Sequence, residues 1–296
     1  MNGSTFAILA ALCFASNNIF IRRGVTHILD PTLGVLISVP VGLPFVIVLL
    51  VLTGEISSIA GFSWQSYIWL SAAGILHYMV GRSLSYHCTQ LVGANIANIL
   101  RRSSAIVAVV LGVSVLGEPL SWQLISGVVL IIFGLTIPGL NLRVFSHDKK
   151  LPWHIPRRAF ISGFGTGVSW GITPILVKVG LGSSGSPTAG VFISFSAATI
   201  GLSLSLLNRN RRTAFVGMAG KAAVLFCIGG LISCTAHLMR YMALSIAPAS
   251  VVQPLISVSP VFLLVFSFLF NRKLEIFNMP VIIGTIAVVI GSFLLI

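Results

Sequence analysis

The sequence predicts an all-α integral membrane protein with ten transmembrane helices in two inverted five-helix repeats. Three observations carry that prediction. Of 296 residues, 56% are hydrophobic and only 8% are charged, with a mean hydropathy of +1.04. A soluble domain has about 25% charged residues, so this chain lacks the polar groups to cover a globular surface. Second, ten apolar stretches are each long enough for a membrane helix, which needs about 20 residues. Third, the two halves of the chain align with one another in order.

The expected spans cover 4–22, 32–53, 66–90, 94–117, 120–139, 159–179, 188–207, 222–247, 250–270 and 277–296. The first lacks the basic flank of a cleaved signal peptide and runs on to Arg22, so it reads as a span. Connections are short except for a polar stretch with Arg143, Lys149, Lys150, Arg157 and Arg158. It divides the chain into a first repeat (1–138), a basic linker (139–158) and a second repeat (159–296). The four cysteines, Cys13, Cys88, Cys227 and Cys234, fall in apolar stretches without a CxxC and read as buried small side chains.

An offset of 156 lays Phe14–Gly24 on Trp170–Gly180. An offset of 155 lays Tyr86 on Tyr241 and Ala94 on Ala249. Near the end of each half, an offset of 157 lays Glu118 on Glu275, Gly127 on Gly284 and Gly134 on Gly291. Five spans per repeat is odd, so the second copy enters the membrane from the opposite side. Such inverted repeats are usual in secondary transporters, whose site lies near the midplane between them.

These marks resemble the drug/metabolite transporter superfamily in its ten-helix form with two EamA repeats. The start of each repeat reads Phe14-Ala15-Ser16-Asn17 with Arg22, and Trp170-Gly171-Ile172-Thr173 with Lys178. A second mark runs from Tyr86 through Gly93-Ala94 to Leu116-Gly117-Glu118, matched by Tyr241, Pro248-Ala249, Pro260 and Glu275. The chain departs from the family pattern in Phe14-Ala15 for Trp-Gly and in Arg101-Arg102 within the fourth span. The resemblance implies a basket of helices around a central cavity, lined by spans 1, 3, 4, 6, 8 and 9.

Lys and Arg number 18 against five acids, a formal charge of +13. Thirteen of these cations fall in loops sharing one side: Arg22, Arg23, the five of the linker, Arg209, Arg211, Arg212, Lys221, Arg272 and Lys273. The other side has Lys178 alone. Basic residues are retained in the cytoplasm, so the linker is expected inside a plasma membrane and both termini outside. The loop cations also suit anionic lipid headgroups. Their dispersal argues against nucleic acid as a partner.

Four arginines remain, and they lie within spans. Arg at a bilayer centre costs at least about 2.5–3.5 kcal/mol and marks a functional site by default. At 1.5 Å per residue, Arg82, Arg101 and Arg102 lie roughly 12–15 Å from the turn near Gly93, and Arg240 roughly 12 Å from the opposite face. All four depths converge on the midplane of a core about 30 Å thick. His77 and His237 are close in depth, and His237 shares a helix face with Arg240. Arg101 and Arg102 diverge by about 100°, and Arg101 is expected to be the more structural of the two. The acids Asp30, Glu55, Glu118, Asp148 and Glu275 all lie at span ends or in loops. Unpaired guanidinium groups are costly in a dry interior, whereas a hydrated site receiving a carboxylate or phosphate would satisfy them.

Asn17, Asn98, Tyr86, Trp170, Tyr241 and Gln253 complete the expected lining. The spacing of Gly163, Gly167 and Gly171 predicts close helix packing. Gly182-Ser183-Ser184-Gly185 matches an intramembrane serine protease motif, but a Gly/Ser-rich loop generates such matches freely. No metal-ligand cluster, P-loop or catalytic pair is present in the sequence, so no cofactor, metal or catalytic residue is expected. The expected function is therefore non-enzymatic: secondary transport of a small anionic metabolite. Protons (through His77, His87 or His237) or a counter-substrate are candidate coupling partners, and monomer and homodimer both remain open. A carrier of a lipid-linked phosphate is the neighbouring reading, and a polytopic membrane enzyme the remote one.

Overall fold

The computed structural model describes residues 2–104, 106–107, 110–111, 121–140, 155–182, 186–218, 220–247, 252, 255–256 and 258–294. The described elements are helical throughout. They are α1 (Gly3–Val25), α2 (Thr32–Ser38), α3 (Gly42–Leu52), α4 (Ile56–Ala60), α5 (Trp64–Gly74), a π-helical stretch (Ile75–Gly81), α6 (Arg82–Arg101) and α7 (Trp122–Leu140). Then come α8 (Arg157–Leu181), α9 (Pro187–Leu204), a 3-10 turn (Ser205–Leu207), α10 (Arg209–Val216), α11 (Gly220–Ile246), α12 (Ser259–Phe270) and α13 (Met279–Leu294). Among the described residues, five segments are long and apolar enough to cross a membrane: Gly3–Val25, Thr32–Leu52, Arg157–Leu181, Pro187–Leu207 and Gly220–Ile246. Shorter apolar helices accompany them. Large apolar side chains such as Val51, Ile161, Ile200 and Leu269 face outward, as a lipid-facing surface requires.

Local chemistry explains the boundaries. Asn2, Ser63 and Ser186 accept a backbone N–H at the starts of α1, α5 and α9. Pro40 has no N–H and splits the expected span 32–53 into α2 and α3. Beside this break, Gly42 N bonds Val39 O (3.1 Å) instead of Ser38 O, leaving that carbonyl for another donor. The expected span 66–90 is one helical path through α5, the π-helical stretch and the first part of α6. Gly93 then takes φ 83°, ψ 167° and turns the chain sharply into the next helix. That positive φ suits glycine. A Cβ here would also lie 2.8 Å from Glu275 Oε2.

The principal packing pairs are α1 with α11, α7 with α13, and α8 with α5 and α6. Close approaches come in pairs related by the sequence offset. A Cβ on Gly134 would lie 2.7 Å from Gly284 O, and one on Gly291 would lie 2.8 Å from Gly127 O. Likewise a Cβ on Gly74 would collide with Ser194 O, and one on Gly230 would meet Ser38 O at 2.6 Å. Gly163 and Gly171 of α8 press on Leu100 and Val107, the tight packing their spacing predicts.

Glu275 closes one end of the bundle. Its carboxylate accepts Ala94 N–H (2.7 Å) and Asn95 N–H (3.0 Å), which are the free donors after the Gly93 turn. Arg22 Nε lies 3.2 Å from Glu275 Oε1. Arg22 also donates to Thr89 O (2.9 Å), in the turn of α6 before Gly93, and to Leu274 O (2.8 Å), in the turn after α12. Burial pushes the Glu275 carboxyl above the ordinary value, against Arg22 and the two amides. Arg23 donates to Asn271 Oδ1 (2.7 Å), and Arg211 to Thr32 Oγ1 (2.9 Å). Arg22 and Arg23 thus form the last turn of α1 and tie it to neighbouring helices, rather than standing in a solvated loop. Replacing Glu275 with Gln should lower stability by about 2–4 kcal/mol, since it strands Arg22. Thermal melting of the purified variant checks this, and an unchanged melting temperature would contradict it.

Candidate functional site

The site is built where the π-helical stretch, α1, α6, α8, α9 and α11 meet. His77 and His237 are both nearly inaccessible. Their ring centroids are 4.8 Å apart and the rings are almost perpendicular. Trp170 stacks on His77 at 5.0 Å, with 15° between planes, and its indole N–H donates to His77 O (3.2 Å). Tyr78 lies 4.8 Å from His237 and 4.2 Å from Phe195. Phe14 meets His237 edge-on at 4.9 Å. The π-helical register presents His77 and Tyr78 side by side to this cluster. Such a bulge is frequent at functional sites, and no periodicity in the sequence announces it.

Guanidinium groups surround the rings. Arg82 donates to Ser38 O (3.2 Å), the carbonyl released beside Pro40, and to Ser233 Oγ (2.6 Å). Its cationic carbon lies 5.3 Å from the Tyr78 ring centroid. Arg101 donates to Ser85 Oγ and to Asn18 Oδ1 (3.1 Å), and lies 5.6 Å from the Trp170 ring. Arg240, one turn after His237, is buried, and its Nε has no acceptor. Both Arg82 and Arg240 are close enough to act electrostatically on His77 and His237. Among the described residues, the ion pair is Arg22–Glu275 alone. No described carboxylate therefore pairs with Arg82, Arg101 or Arg240.

Sequence reasoning placed His77, His237, Arg82, Arg240, Trp170 and Arg101 together, and the structure brings all six into one cluster. Arg101 reaches the cluster at Trp170 while its donors bind Ser85 and Asn18. Arg102, the residue after α6, is half-buried, and its N–H bonds Ile99 O. Tyr86 and Tyr241 are spent on hydroxyl pairs related by the repeat: Tyr86 to Ser38 Oγ (2.8 Å) and Tyr241 to Ser194 Oγ (3.3 Å). Asn17 Oδ1 and Asn98 Nδ2 are buried without partners. Gln253 lies outside the described residues, as do Ser183 and Ser184 of the protease-like motif. Asn18, which the sequence offers as a lining residue beside Asn17, accepts from Arg101; Ser38, Ser85, Ser233 and Tyr78 were missed. The repeat offset could have found Ser38 beside Tyr86, since Ser194 and Tyr241 answer to them.

Among the described residues no group of three His, Cys, Asp or Glu could hold a metal. The model of the EamA-like transporter family matches residues 1–138 and again 157–296. The chain belongs to the EamA-like transporter family. It is thus a multi-pass membrane protein of a transporter family in the drug/metabolite transporter superfamily. The fold is also that of a solved crystal structure at 12% identity and TM-score 0.63, covering 99% of this chain and 95% of the other. No curated protein matches the EamA-like chain.

The Arg82–Ser233 bond bridges α6 to α11 between two buried side chains. Ser233→Ala should cost about 1–3 kcal/mol by leaving a charged donor unsatisfied. A double-mutant cycle with Arg82→Met should return a coupling of about 1 kcal/mol or more. Additive effects would contradict the assigned bond.

Proposed function

We propose that this chain is a secondary transporter of a small organic anion, carrying a carboxylate or phosphate, and not an enzyme. In this reading ten spans form two inverted five-helix repeats around a central cavity. Transport proceeds by alternating access as one repeat rocks against the other. The paired contacts at Gly134 and Gly291, and at Gly74 and Gly230, support the two-fold arrangement. The matched family supports transport, and no nucleotide-binding motif supports ATP as the driving force.

The observation that carries the anionic reading is the charge balance of the cluster. Arg82, Arg101 and Arg240 are buried there, and no described carboxylate pairs with them. An arriving anion would offset their desolvation and accept their unused donors. His77, His237 and Trp170 would contact the rest of the substrate, with Asn17, Asn98 and Arg102 at its margin. The protein would lie in the plasma membrane with its basic end, bearing Arg22, Arg23, Arg211 and Arg272, in the cytoplasm.

Reconstituted proteoliposomes test this. Counterflow of radiolabelled short-chain carboxylates and phosphate monoesters should exceed that of empty liposomes without added nucleotide. Arg82→Ala and Arg240→Ala should each reduce it at least about tenfold, the loss of one charge-assisted contact. Wild-type rates in both variants, or a substrate range confined to organic cations, would contradict the proposal.

A further inference from the structure

The three buried guanidinium groups are not equivalent. Arg82 spends two donors on Ser38 O and Ser233 Oγ and lays its face toward Tyr78. Arg101 spends two on Ser85 Oγ and Asn18 Oδ1 and lies over Trp170. Each of these acceptors belongs to a helix other than the arginine's own or to a distant turn of it, so both side chains bind the bundle together. Arg240 differs. It is 7% exposed, donates no hydrogen bond to any described residue, and keeps an Nε without an acceptor. Beside it, His77 Nδ1 and His237 Nδ1 are also buried without partners. His237 is three residues before Arg240 and projects from the same face of α11.

A buried guanidinium with no acceptor is a cost to the folded chain unless something else supplies the acceptor. The described acids cannot. Asp30 is engaged by Thr32, Glu55 by Ser186, and Glu275 by Ala94, Asn95 and Arg22.

We propose that Arg240 is the anchor for the anionic group, that this group is a single carboxylate, and that Arg82 and Arg101 position the helices around it. The proposal deepens the transport reading and rests on it for the carboxylate's being cargo. One planar guanidinium fork matches one carboxylate bidentately. A neutral imidazole has one N–H to donate, so His77 or His237 can satisfy a remaining lone pair. A phosphate dianion would bring a second charge to a site whose other two guanidinium groups already have bonds to lose.

Melting in detergent tests this with sodium formate, the smallest carboxylate, against sodium chloride at equal ionic strength. Sodium phosphate serves as the comparison anion. Formate should raise the wild-type melting temperature by about 2–4 °C, and phosphate should raise it less. Arg240→Met should melt at or above wild type in chloride, because an unsatisfied charge is gone, and should gain nothing from formate. Arg82→Met and Arg101→Met should melt lower than wild type. Ser233→Ala supplies a milder version of the same loss should those variants not fold.

The proposal is overturned if Arg240→Met melts as low as Arg82→Met or Ser233→Ala. It is also overturned if formate gives wild type no shift, if the shift survives in Arg240→Met, or if phosphate shifts more. Failure of the transport reading looks different. There, formate binding through Arg240 would persist while proteoliposomes moved no solute.

Discussion

The structure depends on how a membrane interior accommodates guanidinium groups without carboxylates. Bilayer hydrocarbon offers no hydrogen bonds, so a polar group within a span needs a partner in the protein or bound to it. Arg82 and Arg101 find theirs in neutral oxygens and aromatic faces. Those oxygens exist because helices are interrupted or carry serine. The break at Pro40 releases the Ser38 carbonyl, while Ser85, Ser233 and Asn18 offer side-chain oxygens from helices otherwise rich in apolar residues. Arginine placement and helix irregularity are therefore one design. A straight second span would leave Arg82 with one acceptor fewer.

Acids serve a different purpose. Glu275 sits at the end of the bundle, where it caps the helix that follows Gly93 and receives Arg22. This joins the first repeat to the second at the basic end. The ring cluster joins them again deeper, through His77 and Trp170 on one hand and His237 and Tyr78 on the other. The close glycine contacts and the Arg82–Ser233 bond tie the repeats together further. The glycine pairs let helices approach closely, because backbone meets backbone without side chains between.

Much of this was legible in the sequence. Five expected spans, read from composition and length, coincide with the five long apolar segments of the described residues, and the offsets of 155–157 anticipated which glycines and tyrosines would answer to each other. The convergence of Arg82, Arg240, His77 and His237 followed from counting residues to the nearest turn. What was not legible depended on rotation about helix axes and on local register. The π-helical stretch sets the direction of His77 and Tyr78, and nothing in Ile75–Gly81 encodes it visibly. Arg101 and Arg102 were separable by face, but which face meets Trp170 is decided by how α6 turns at Gly93. Ser85 and Ser233 were invisible as acceptors, because a serine in an apolar helix most often bonds its own backbone.

The central claim is that the interior between the repeats receives a negative charge. Charge movement on a solid-supported membrane tests it most directly. Proteoliposomes of the full chain, given concentration jumps of a mixture of small carboxylates, should produce transient currents carrying the sign of anion entry. Arg240→Met should abolish them. Currents elicited only by organic cations, or carboxylate currents unchanged in Arg240→Met, would contradict the account.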